Sequence, residues 1–312
     1  MVSIRILQGF ITAAAVCLAS HQIPLSGQNA DKASPTFANV PYGDHERQVF
    51  DLWLTDSQSG QPTPLAIFIH GGGFRSGDKG SINANSIGQF QEAGISVAAI
   101  NYRLSDTGPM PIMLEDAARC LQTIRSRASE WNIDPERIVC YGGSAGAGIS
   151  LWLAFHDDLA DPDSPDPISR QSTRILAAAT RNGQSTYDLR DYARWFGLDE
   201  FIIHEAFYPM YDVEADVEFE SPRVVSLMEE VSAINHLTRD DTPVFMDYGR
   251  GNVPVGPKTN PGIWVHHVLL GLKLQSAMSE IGLECIVQSP DHPVNPYGSI
   301  EKFLIEKIAE SL

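Results

Sequence analysis

Basic residues are scarce: 22 Lys and Arg stand against 39 Asp and Glu, a formal net charge of −17 over 312 residues. A field of that sign repels nucleic acid and anionic membrane surfaces, so no nucleic-acid partner is expected. Cysteines number four, and Cys17 lies in an N-terminal segment expected to be removed, which leaves Cys120, Cys140 and Cys285. An odd number of cysteines set among apolar neighbours points to buried free thiols rather than a disulfide framework. No long membrane-spanning run is present either. The apolar stretch 11–19 is interrupted at Thr12 and closed by Ser20, His21 and Gln22, whereas a spanning helix needs roughly 20 apolar residues. With Arg5 ahead of it, this stretch reads as a secretory signal peptide within residues 1–30, which makes the protein secreted or periplasmic. Internal repeats are lacking. So are HExxH and paired-cysteine spacings, and no metal is expected.

What is present suits one globular domain over residues 31–312, with 43% hydrophobic and 20% charged residues. Prolines and glycines are spread along the chain and mark many short elements joined by turns. Two edge strands are predicted at 36–42 and 48–54. Short apolar strands follow at 65–70, 95–102, 137–141, 174–179, 242–248 and 283–288. Between them the spacing predicts helices over 82–93, 111–131, 145–155, 264–281 and around 300–308. The helix at 264–281 rests on a stripe of Trp264, Val268, Leu272 and Met278, with Gly282 as its stop. Apolar strands alternating with amphipathic helices imply a three-layer α/β sandwich, its mostly parallel sheet covered on both faces. Segments 157–170 and 187–241 break the rhythm and read as insertions forming a small cap over the carboxyl ends of the strands, where ligands bind in such sheets.

Two glycine motifs carry the chemistry. Gly142-Gly143-Ser144-Ala145-Gly146 fits G-x-S-x-G and lies between a strand and a helix, the context in which a serine is raised on a strained turn beside a helix amino terminus. His70-Gly71-Gly72-Gly73-Phe74 closes another strand. Three glycines in a row weaken a loop entropically, and they make sense where backbone N–H groups must approach a ligand closely.

The order and spacing of these motifs, with Ser76-Gly77-Asp78-Lys79 and Asn101-Tyr102-Arg103-Leu104 between them, resemble the α/β-hydrolase family, in particular its hormone-sensitive-lipase-like and feruloyl/acetyl-esterase-like branch. The resemblance spans about residues 37–310 and is most specific up to residue 155. It implies that Ser144 is the nucleophile and that the N–H groups of Gly72, Gly73 and Ala145 form the oxyanion hole. It further implies an acyl-enzyme mechanism on small-molecule or carbohydrate esters with small or aromatic acyl groups, and no cofactor.

The general base implied by the family follows the last strand, which selects His292 in Ser289-Pro290-Asp291-His292, although Pro290 and Asp291 depart from the family's small residues there. The pair His266 and His267 falls within the helix expected at 264–281, where histidine is commonly structural or solvent-facing. The family's acid position, a few residues past the strand at 242–248, holds Asn252 in Gly249-Arg250-Gly251-Asn252. An amide can orient an imidazole but cannot stabilise its charged form. Asp188 is the preferred substitute and Asp247 a further candidate. A catalytically silent hydrolase fold serving as a binding module is the competing reading.

Overall fold

The computed structural model describes residues 32–56, 60–293 and 296–311, so the segment 1–30 read as a signal peptide lies outside the described residues. Strands β1 (Phe37–Pro41), β2 (Val49–Trp53) and β3 (Thr63–Ile69) come first, followed by α1 (Ala84–Glu92), β4 (Ser96–Ile100) and α2 (Ile112–Ser126). Then come β5 (Ile133–Gly143), α3 (Ala145–Phe155), β6 (Ala178–Arg181), α4 (Leu189–Phe196), α5 (Phe207–Tyr211) and α6 (Pro222–Val231). The chain ends with β7 (Val244–Asp247), α7 (Pro261–Trp264), α8 (Val268–Glu280), β8 (Cys285–Gln288) and α9 (Ile300–Glu310).

The eight strands form one sheet in the order β1-β2-β4-β3-β5-β6-β7-β8. β1 and β2 are antiparallel at one edge, and from β4 to β8 every pairing is parallel. Side chains alternate across a strand. Leu65, Ile67 and Ile69 of β3 therefore join the core under α2, α3 and α8, while Ala66 and Phe68 join the core under α1 and α9. Burying each large aliphatic side chain contributes about 1.5–3 kcal/mol, so both faces hold the sheet. This is the three-layer α/β fold that the strand and helix rhythm implies. Among the described residues no helix is long and apolar enough to cross a membrane. Cys120 and Cys140 are buried and Cys285 half-buried, all three as free thiols.

Two element assignments shift. The strand expected at 174–179 pairs only from Ala178 to Arg181. The helix expected over 264–281 is broken: α7 stops at Trp264, and α8 starts at Val268 behind His267, whose extended backbone (φ −79°, ψ 139°) and ring make it the N-cap. The apolar stripe continues across the break because Trp264 and Val268 are both fully buried, so periodicity alone does not register it.

Parallel pairing brings the strand ends into one row, with Gly143 beside Arg181, Arg181 beside Asp247 and Asp247 beside Gln288. The connections after these strands share one edge of the sheet. Segment 187–241 folds into α4, α5 and α6 with intervening turns.

Candidate active site

Ser144 stands between β5 and α3 with φ 52° and ψ −121°, a backbone region costly for a residue with a Cβ. The turn is held by Ser144 N–H donating to the Arg181 carbonyl at 3.0 Å. It closes only because strand and helix touch: a Cβ on Gly146 would lie 2.0 Å from the Ile69 carbonyl oxygen.

Loop 70–77 faces this turn. Gly72 (φ 118°) and Gly73 (φ 60°) both have positive φ, and a Cβ on Gly72 would lie 2.1 Å from the Ser76 carbonyl oxygen. His70 is its strut. The ring stacks on Tyr102 at 4.3 Å, bonds the Gly71 carbonyl through Nδ1 at 2.7 Å, and meets Arg47 Nη2 through Nε2 at 3.2 Å. Since a carbonyl only accepts and a guanidinium only donates, this is the neutral Nδ1–H tautomer. Burial lowers the His70 pKa to about 4.

The base position is where sequence and structure part. Ser144 Oγ is 2.9 Å from Nε2 of His266, and His266 Nδ1 is 3.0 Å from the Gly262 carbonyl oxygen. The carbonyl fixes Nδ1 as the donor and leaves the Nε2 lone pair for the serine hydroxyl. His266 reaches this place because it lies in the break between α7 and α8. Trp264 anchors one side of the break, packing on Tyr192 at 4.6 Å and donating Nε1–H to the Ile202 carbonyl at 3.1 Å. On the other side His267 accepts Leu269 N–H and donates to the Val253 carbonyl at 2.8 Å. Buried Gln184 donates to the Val265 carbonyl at 2.8 Å and fixes the backbone next to His266.

His292 does not reach the serine. It lies in a tight turn after β8 that pairs its backbone with Ser289 in both directions, and its Nδ1 faces Ser289 Oγ at 3.2 Å. The neighbouring Asp291 carboxylate accepts Asn252 N–H at 2.6 Å. The two loops from which a base and an acid were expected therefore meet each other, and neither residue lines a cavity beside Ser144.

The acid candidates are engaged elsewhere. Asp188 is buried as the N-cap of α4, where it accepts Arg190 N–H and pairs with the Arg190 guanidinium. Asp247 ends β7 with Arg181 3.8 Å away, and burial raises its pKa against that positive charge. Asn252 bonds Asp291 through its backbone. None of the three bonds His266, whose hydrogen-bond partners are Ser144 and Gly262. Asn260-Pro261 is a helix start signal just ahead of the apolar stripe that opens at Trp264, and no local signal within residues 261–268 marks the break that follows.

Ser144 and His266 lie where two cavities meet. One, of about 500 Å³, is lined by Gly72, Gly73, Ala145 and the apolar Phe74, Tyr187, Phe207 and Met210. His204 and Glu205 also face it, with Glu205 paired to Arg75 at 2.7 Å. Burial lowers the His204 pKa against the neighbouring Glu205 carboxylate, which opposes it. The other cavity, of about 1110 Å³, mixes polar side chains, Asn83, Asn85, Gln89, Asn182, Arg250 and Glu301 among them, with apolar ones such as Phe68, Tyr141 and Ile263. Of the two insertions, 187–241 contributes to the first cavity and 157–170 to neither.

The family model described as BD-FAE matches residues 50–258. Among curated proteins, the chain is 27% identical over 224 residues to the probable carboxylic ester hydrolase LipM of Mycobacterium tuberculosis, covering 70% of this chain and 48% of that one. It is 31% identical over 163 residues to the probable isoprenylcysteine alpha-carbonyl methylesterase ICMEL1 of Arabidopsis thaliana, covering 51% of this chain and 33% of that one. The chain thus spans about half or less of the length of these relatives. Its fold is similar to a truncated form of carbohydrate esterase from gut microbiota, with a TM-score of 0.67 at 19% identity over 90% of this chain and 98% of that one. It is also similar to the propionate-bound esterase Est2 of Thermogutta terrifontis, with a TM-score of 0.58 at 19% identity over 88% of this chain and 92% of that one.

Proposed function

Since the chain belongs to the BD-FAE family of the α/β-hydrolase superfamily, we propose that it is a carboxylic ester hydrolase in which Ser144 is the nucleophile and His266 the general base. The observation that carries this reading is the 2.9 Å contact between Ser144 Oγ and His266 Nε2 on a strained turn between two cavities. His266 accepts the hydroxyl proton as Oγ attacks the acyl carbon, then returns it to the departing alcohol. The acyl oxygen becomes an oxyanion beside the N–H groups of Gly72, Gly73 and Ala145. In such sites each donor contributes about 3–4 kcal/mol to lowering the barrier. Water activated by His266 then releases the acid.

The Gly262 carbonyl takes the place of a triad acid in this reading. It holds the ring and its tautomer, though it supplies no negative charge to the imidazolium. The smaller, aromatic-lined cavity takes the acyl group, and the larger one, with its amide and charged side chains, takes the alcohol portion of a small-molecule or carbohydrate ester. The ester hydrolases among the relatives support this class of reaction, and nothing in them favours a silent binding module. The test is turnover of a short-chain nitrophenyl ester by the pure protein, with fluorophosphonate labelling at Ser144. Both are lost in Ser144→Ala under this proposal; equal turnover by the two proteins overturns it.

A further inference from the structure

The end of α3 remote from Ser144 carries a second cluster of chemical groups. His156 caps the carboxyl end of this helix, Glu230 lies on α6, and His236 lies in the turn that follows α6. One ring nitrogen from each histidine and one carboxylate oxygen lie within 4.8 Å of one another. We propose that His156, Glu230 and His236 form a zinc-binding site that ties the insertion at 187–241 to helix α3.

The hydrogen bonds around the cluster dispose each ring for this role. His156 Nδ1 is 2.8 Å from the Asp157 carbonyl oxygen, which only accepts, so the hydrogen is on Nδ1 and the Nε2 lone pair is free. That lone pair faces Glu230 Oε1 at 3.2 Å. A proton on Nε2 makes this contact a histidine–glutamate pair, and a cation bound between the two atoms satisfies it equally. His236 Nε2 is 2.6 Å from the Glu230 carbonyl oxygen, which leaves its other ring nitrogen unprotonated. Metal-bound histidines characteristically donate their second N–H to a backbone carbonyl or carboxylate, and both rings do so here. Trp152 packs on His156 at 4.1 Å with the rings tilted by 36° and donates Nε1–H to the Glu230 carbonyl at 3.2 Å, which orients the face of the site. The carboxyl end of a helix adds a partial negative charge that favours a cation.

The donor set selects the metal. Two imidazoles and one carboxylate suit zinc better than calcium or magnesium, which take mainly oxygen ligands. Zinc bonds of about 2.0–2.2 Å require ligand atoms about 3.3–3.5 Å apart. The His156–Glu230 separation, 3.2 Å, is close to that length, and all three ligand atoms lie within 4.8 Å of one another. Three protein ligands leave one position for water. The ligands are 74 and 80 positions apart in sequence, out of reach of any spacing motif.

The experiment uses the untagged full chain, stripped with EDTA, dialysed and titrated with zinc chloride by calorimetry near neutral pH. It does not depend on the ester hydrolase reading. Expected are one zinc per chain, a rise of several degrees in Tm with excess zinc, and a change in emission from Trp152. His156→Gln, His236→Gln and Glu230→Gln each weaken binding at least tenfold while zinc-free Tm and ester turnover stay near wild type. Glu230 is half exposed, so its variant keeps the test available if either histidine variant fails to fold. Absence of stoichiometric zinc uptake, or a wild-type isotherm in Glu230→Gln, overturns the site and leaves a plain histidine–glutamate pair.

Discussion

Replacing His266 and His292 separately by Asn distinguishes the structural placement of the base from the placement implied by family order. His266→Asn removes the lone pair 2.9 Å from Ser144 Oγ. Loss of a positioned general base costs about 10²–10⁴ in kcat, or roughly 3–5 kcal/mol of barrier. The fold loses much less, since the bond to the Gly262 carbonyl contributes about 1 kcal/mol and the side chain is only half-buried. Tm therefore falls by a few degrees at most while turnover of a nitrophenyl ester collapses, with KM little changed because the acyl cavity is intact. His292→Asn loses a bond within its own turn and keeps kcat within about twofold of wild type. Fluorophosphonate labelling of Ser144 slows in the first variant and not in the second, which separates loss of the base from loss of substrate binding. The opposite pattern, an inactive His292→Asn beside an active His266→Asn, refutes the assignment and shows that the loops after β7 and β8 rearrange in solution.

The acid candidates give a second contrast: Asn252→Asp leaves kcat unchanged because its backbone already meets Asp291, whereas Asp188→Ala lowers stability by about 1–2 kcal/mol through the lost α4 cap and Arg190 pair, without changing kcat. A tenfold gain in Asn252→Asp contradicts this. Gly146→Ala puts a methyl 2.0 Å from the Ile69 carbonyl and costs about 3 kcal/mol or more, measurable as a fall in the denaturant midpoint. His70 supplies the pH dependence. Its folded pKa of about 4 lies below the ordinary 6.5, so the unfolded chain binds more protons between these values. Stability is then full above pH 6.5 and declines as pH falls towards 4, by roughly 3 kcal/mol in all. His70→Gln should flatten this part of the stability–pH curve; an unchanged slope sinks the claim. Last, rates should fall steeply from aryl to alkyl esters, with no turnover of the matching anilides; equal rates on aryl and alkyl esters contradict a base without a carboxylate.

The architecture was legible because it depends on patterns the sequence states openly. Alternating apolar strands and amphipathic helices gave the layers, and glycine was the only residue able to occupy positions such as 72 and 146, where positive φ or a 2.0 Å approach excludes a side chain. Gly72 and Ser144 were found for that reason. His266 was not, because the residues that flank it are spaced as in a helix. Trp264 and Val268 are both core residues four positions apart, which is helical spacing, yet the chain makes a non-helical turn between them. What breaks the helix is tertiary: the Trp264 indole is held by Ile202 and Tyr192, and the His267 ring by Val253. Those partners are separated from the break by up to 72 residues, so no local propensity carries the information. His292 had the right order in the chain, but order constrains position only when the connecting loop is short. The connection from β7 to α8 is long enough to return to the serine first.

Under these roles the lack of a carboxylate on His266 has a chemical consequence. In a serine triad the acid stabilises the imidazolium that forms as the proton leaves the hydroxyl, and its loss costs about 10⁴ in kcat when the neutral replacement enforces the wrong tautomer. Here the Gly262 carbonyl enforces the right tautomer, so part of that cost is avoided and what remains is the missing charge. The carboxylates that share a cavity with His266 are already engaged, Glu205 by Arg75 and Glu301 by Arg181 and Ser86. An imidazolium is thus poorly supported, and a reaction that demands full protonation of a basic leaving group is disfavoured. Amines need that protonation; phenolates and sugar alkoxides with acidified hydroxyls need it progressively less. A site with a well-built nucleophile turn and glycine loop but a charge-poor base is therefore matched to esters rather than amides, for a reason that lies in the electrostatics around one imidazole.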